Sequence, residues 1–124
     1  MKKLQLVFLL LVGIVAASTA QVVKKGGIII ATIKTPTVQC EQCKNRIESY
    51  LSREEGVQKV VVDYKHKITK VTFVADRTTL ENVKTAIANV GYDADDVTAD
   101  PEGYKKLPTC CKKPEDGGGP AKKN

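Results

Sequence analysis

The sequence predicts an α+β domain of the ferredoxin-like kind: a βαββαβ chain whose four-stranded antiparallel sheet carries two helices on one face. Three observations predict it. The apolar pattern alternates, turns helical, alternates twice, turns helical again and closes on a short β-branched stretch. The two central alternating stretches are joined by the polar turn Lys65-His66-Lys67, as in a hairpin. Start and stop signals bracket the second helical stretch.

The elements follow in order. Ile28 to Thr35 is rich in β-branched residues and reads as a strand, with Ala31, Ile33 and Thr35 on one face and Thr32 and Lys34 on the other. Pro36 breaks it and opens a loop. From about Glu41 to Ser52 the apolar residues Cys43, Ile47, Tyr50 and Leu51 recur at helical spacing, and Gly56 ends the connection. Val57 to Tyr64 returns to alternation, with Val60, Val62 and Tyr64 inward; Ile68 to Ala75 forms the other hairpin arm, with Val71 and Phe73 inward. Thr78 and Glu81 have capping-box spacing, Leu80, Val83, Ile87 and Val90 make one apolar stripe, and Gly91 stands where a helix end favours a left-handed residue. Val97 to Ala99 is read as a last edge strand.

The ends differ from this middle. Residues 1–20 read as an export signal: Lys2 and Lys3, an apolar stretch from Leu4 to Ala17, then the small residues Ser18-Thr19-Ala20. The run is shorter than the ~20 apolar residues of a spanning helix, so the expectation is a periplasmic or secreted protein with no stable membrane insertion after cleavage. Residues 21–29 form a lead-in. Residues 101–124, with Gly117-Gly118-Gly119-Pro120 and closing lysines, read as a flexible, basic, cysteine-containing tail.

Charge excludes one class of function. The formal net charge is +6, yet residues 21–100 hold twelve Lys/Arg against eleven Asp/Glu. The excess sits in the signal and the tail rather than on one face of the domain, so nucleic acid is not an expected partner.

The chemistry lies in the cysteines. Cys40 and Cys43 form a C-x-x-C pair at the end of the loop and in the first helical turn, where free N–H groups and the helix dipole favour a thiolate. Lys44 adds a positive charge beside them. Two thiolates suit soft ions, Cu(I) first and Hg(II) also, whereas structural zinc normally takes four ligands. His66, in the hairpin turn, is given no metal role. Nothing in the chain resembles the base and pocket of a catalyst, so no enzymatic activity is expected.

Cys40-Glu41-Gln42-Cys43 after a strand and loop, Glu55-Gly56-Val57 before Val60 and Val62, Val71-Thr72-Phe73, and Val90-Gly91-Tyr92 after the second helix together resemble the heavy-metal-associated domain family. That family includes copper chaperones, amino-terminal modules of copper pumps and periplasmic mercury-binding proteins. The resemblance implies a domain over residues 30–100 and makes Cys40 and Cys43 metal ligands, with Tyr92 beside the site. Thr37-Val38-Gln39 stands where the family usually has Gly-Met-Thr, and the resemblance implies that Val38 can fill the buried role of the methionine. The implied partner is a membrane metal transporter or another metal-binding domain.

Cys110 and Cys111 fall outside that pattern. They are candidate accessory ligands, since ten residues from Asp100 can span ~30 Å when extended. With them zinc or a protected Cu(I) site becomes accessible. Two other readings stand beside the metal one: an interaction domain whose C-x-x-C is a local disulfide, and a thiol–disulfide redox protein. Against the latter, Glu41-Gln42 replaces the interior of thioredoxin-type motifs and tryptophan is absent.

Overall fold

The structure, a computed structural model, describes residues 27–120. Residues 1–20, expected to be an export signal, and most of the lead-in lie outside the described residues. The elements are β1 (Ile28–Lys34), α1 (Glu41–Leu51), β2 (Val57–Asp63), β3 (Ile68–Val74), α2 (Leu80–Val90) and α3 (Pro101–Lys105), followed by 3-10 turns at Thr109–Cys111 and Pro114–Asp116.

β3 lies in the middle of an antiparallel sheet in the order β1-β3-β2. Its register pairs Val71 with Ala31 and with Val60, and Thr69 with Ile33 and with Val62. Because side chains alternate across a strand, this register puts Ile33, Val62, Val71 and Phe73 on one face. There they meet Ile47 and Leu51 of α1 and Val83 and Ile87 of α2 in a single core. Ile28 and Ile30, on the alternate positions of β1, stay exposed. The buried Thr35 and Thr69 hydroxyls satisfy one another at 3.0 Å.

Among the described residues the sheet has three strands, not the four expected from the sequence. Residues 97–99 are spent on local bonds instead. Asp95, at φ 51°, touches the end of β1 through Asp95 N–H to the Lys34 carbonyl at 2.8 Å and Lys34 N–H to Asp95 Oδ1 at 2.7 Å. The chain then turns: Val97 bridges to Ala94, and Ala99 N–H goes to Asp93 Oδ1 at 2.8 Å. Asp100 at once caps α3, with Pro101 in its first turn. No backbone is left to run along β1.

The helix ends show one further difference. The cap of α2 is Thr79, whose hydroxyl accepts from Asn82 N–H at 3.1 Å, one residue later than the Thr78–Glu81 pattern suggested. Gly91 ends α2 at φ 114° as expected. Residues 101–120, read from composition as part of a flexible tail, are folded against the domain. Gly103 is so close to the end of α2 that a Cβ there would lie 2.3 Å from the Asn89 carbonyl oxygen. Leu107 is buried in the common core.

Candidate metal centre

The loop from Thr35 to Cys40 is fastened from below. Val38 is fully buried in the core, which holds the loop against the helices. Thr35 N–H donates to the Lys67 carbonyl at 2.9 Å, and Lys67 Nζ donates to the Val38 carbonyl. Thr37 Oγ1 accepts from Asp93 N–H at 3.1 Å. Cys40 is the extended N-cap residue of α1, at φ −150°, and its carbonyl accepts from Lys44 N–H at 3.1 Å. Cys43 lies in the first turn and faces the core, where it is fully buried.

The two Sγ atoms of Cys40 and Cys43 are 3.4 Å apart. Partial burial works against a charged Cys40, but the N–H groups of Cys43 and Gln42 and the Cys43 thiol face its sulfur, and its pKa falls below the ordinary thiol value. This is what a thiol at a helix N-terminus is expected to do.

The second pair arrives from the other end of the chain. Cys111 is buried, with Sγ 2.7 Å from Cys43 Sγ. Cys110 Sγ is 3.9 Å from Cys111 Sγ and donates to Gln42 Oε1 at 2.8 Å. The sulfurs of Cys40, Cys110 and Cys111 lie within 4.8 Å of one another. All four cysteines are free thiols. Burial, together with the neighbouring Cys43, raises the Cys111 pKa; burial and the Cys40 sulfur raise that of Cys110.

Tyr92 is fully buried in the loop after α2, and its hydroxyl has no hydrogen-bond partner. Desolvation raises its pKa strongly, so the group is a neutral O–H, and the sulfurs beside it are those of Cys111 and Cys43. A buried hydroxyl without a partner is costly. A thiolate at either sulfur would accept a hydrogen bond from it.

Lys44 is half-buried one position beyond Cys43, and the lysine seen to touch the loop is Lys67. His66 Nδ1 is 2.7 Å from Asp63 Oδ2 and its side chain is largely exposed, so the imidazole belongs to the hairpin turn. Gln39, Gln42 and Lys67 were not singled out by sequence reasoning. Long polar side chains beside a cysteine loop were the only available signal, and their targets lie far along the chain.

Residues 32–93 match the heavy-metal-associated domain, half of the chain. The chain belongs to the heavy-metal-associated family. The periplasmic component of the mercuric transport protein of Shewanella putrefaciens is 34% identical over 61 residues, covering 49% of this chain and 67% of that protein. The copper chaperone CopZ of Staphylococcus epidermidis is 36% identical over 61 residues, 49% of this chain and 90% of CopZ. Among solved structures, oxidized MerP from Ralstonia metallidurans superposes with a TM-score of 0.53 at 28% identity, over 56% of this chain and 96% of MerP. The family match includes Cys40, Cys43 and Tyr92 and stops before Cys110. A heavy-metal-associated domain thus accounts for the first thiol pair, while the second comes from a segment outside the match.

Proposed function

We propose that this chain is an exported, non-catalytic carrier of a soft metal ion, which Cys40 and Cys43 hold as thiolates. The observation that carries the reading is the pair of sulfurs 3.4 Å apart at the start of α1, inside the family match. Thiolates are soft ligands, and the ion favoured is Cu(I), with Hg(II) and Zn(II) next. Relatives named for mercuric transport and for copper chaperoning support the same class of ion. Export is supported by the signal-like residues 1–20 and by a relative named as a periplasmic component. Among the described residues no helix is long and apolar enough to cross a membrane.

Transfer proceeds by ligand exchange. A partner thiol gives up its proton and binds the ion as a third sulfur. One of the chain's own sulfurs then leaves and takes up a proton, and the oxidation state of the ion does not change. The partner in this reading is a membrane metal transporter or another metal-binding domain; copper-exporting P-type ATPases of Staphylococcus aureus contain a segment similar to this one. Oxidation of the pair to a disulfide removes both ligands and abolishes binding.

The test is an anaerobic titration of reduced residues 21–124 with Cu(I) against a competing chelator. The expected result is tight binding that is lost in Cys40→Ser. Failure to bind Cu(I), Hg(II) and Zn(II) alike would leave the interaction domain with a local disulfide as the better description.

A further inference from the structure

We propose that Cys110 and Cys111 belong to the same site as Cys40 and Cys43, and that the carboxy-terminal segment is a cap enclosing one ion in three or four sulfurs. This rests on the reading of Cys40 and Cys43 as ligands and adds to it the ligand number, and with it the class of ion.

Three of the sulfurs, those of Cys40, Cys110 and Cys111, lie within 4.8 Å of one another, and the fourth, that of Cys43, lies against Cys111. Four ligands at about 2.3 Å around a tetrahedral zinc ion put neighbouring sulfurs about 3.8 Å apart. Cys40 and Cys43 are at 3.4 Å and Cys110 and Cys111 at 3.9 Å. Cys43 and Cys111, at 2.7 Å, would open by about an ångström around the ion. The unpartnered Tyr92 hydroxyl is buried beside these last two sulfurs and can donate to either as a thiolate.

The cap is built onto the loop rather than passing it by. Gln39 Nε2 donates to the Lys112 carbonyl at 2.6 Å, and Gln42 Oε1 accepts from the Cys110 thiol at 2.8 Å. Tyr104 Oη accepts from Lys113 N–H at 2.9 Å and donates to the Asp116 carboxylate. Gly119 N–H returns to the Thr109 carbonyl at 3.1 Å. Gln39 is thus the point of attachment on the loop, at a position where the family pattern has threonine. The approach of Gly103 to α2 and the burial of Leu107 fix the near end of the segment.

The chemical consequence is a change of preference. A lone thiolate pair suits ions content with two ligands, whereas three or four thiolates also satisfy Zn(II). Each thiol releases its proton to solvent as it binds. A partner thiol can reach the ion only after the cap lifts, so transfer is slower than from an open pair.

The experiment is zinc-edge X-ray absorption on reduced residues 21–124, which contain all the described residues, with native mass spectrometry to count chains per ion. The proposal predicts three or four sulfurs per Zn(II) and one chain per ion. It also predicts that Cys110→Ser/Cys111→Ser loses at least a hundredfold in Zn(II) affinity but still binds Hg(II) through Cys40 and Cys43. Two sulfurs per Zn(II) in the unsubstituted protein, an ion bridging two chains, or unchanged Zn(II) affinity in the double variant would overturn it. The sulfur count needs no substitution, so a folding defect in the variant cannot obscure the answer. Loss of Hg(II) binding in Cys110→Ser/Cys111→Ser, where Cys40 and Cys43 are intact, would instead strike the proposed function.

Discussion

The two thiol pairs of this molecule differ in how they are held. Cys40 and Cys43 belong to the first turn of an eleven-residue helix and a loop pinned by Val38, Thr35 and Thr37. Cys110 and Cys111 belong to a 3-10 turn kept in place by side chains: Gln39, Gln42, Tyr104 and Leu107. The first pair is placed by secondary structure and hence by local sequence. The second sits in a short turn that tertiary contacts dock onto the domain. The pKa of Cys40 is lowered by N–H groups facing its sulfur, whereas those of Cys110 and Cys111 are raised chiefly by burial. A helix start prepares a thiolate; a docked tail delivers a thiol that needs an ion to lose its proton.

Substitutions can separate the two. The largest effect is expected from Cys40→Ser or Cys43→Ser, each of which removes a ligand of the helix pair. Cu(I) affinity should fall by orders of magnitude in a chelator competition, and a loss below tenfold would break the distinction between the pairs. Gly103→Ala comes next. Its Cβ would meet the Asn89 carbonyl oxygen at 2.3 Å, so docking of α3 should weaken by about 1–3 kcal/mol. The readout is faster alkylation of Cys111, with Cu(I) binding at Cys40 and Cys43 retained.

Gln39→Ala deletes one bond to the tail and should cost about 1 kcal/mol of its docking. A several-fold rise in the alkylation rate of Cys111 measures it; no rise would show that the tail is held elsewhere. His66→Ala should leave metal affinity unchanged, because the ring is engaged by Asp63 in the hairpin turn. A clear loss of affinity would move the site toward the β2–β3 turn.

The same division explains what could be read in advance. Alternation located β1, β2 and β3 and their inward residues, because one buried face leaves a period of two. Helical spacing located Cys43 on the buried side of α1. The expected edge strand at 97–99 failed because three β-branched or small residues do not determine pairing when Asp93, Asp95 and Asp100 offer their own caps and turns. Composition described 101–124 as unable to fold by itself, and that holds no information on whether it folds onto something else. Leu107 supplies an apolar anchor with Cys111 beside it in the core, and the fit of Gly103 against α2 is a matter of backbone distance. That Cys111 meets Cys43 across 68 positions in the chain could not be read from either neighbourhood.

The most direct test of the central claim is ion protection of the thiols, read residue by residue. Reduced residues 21–124 would be alkylated with and without one equivalent of Cu(I), and modification at Cys40 and Cys43 followed by peptide mass spectrometry. Strong slowing at both cysteines when the ion is bound is the predicted result. Alkylation of Cys40 and Cys43 at the ion-free rate, in a sample that has bound Cu(I), would contradict the assignment of the pair as the metal's ligands.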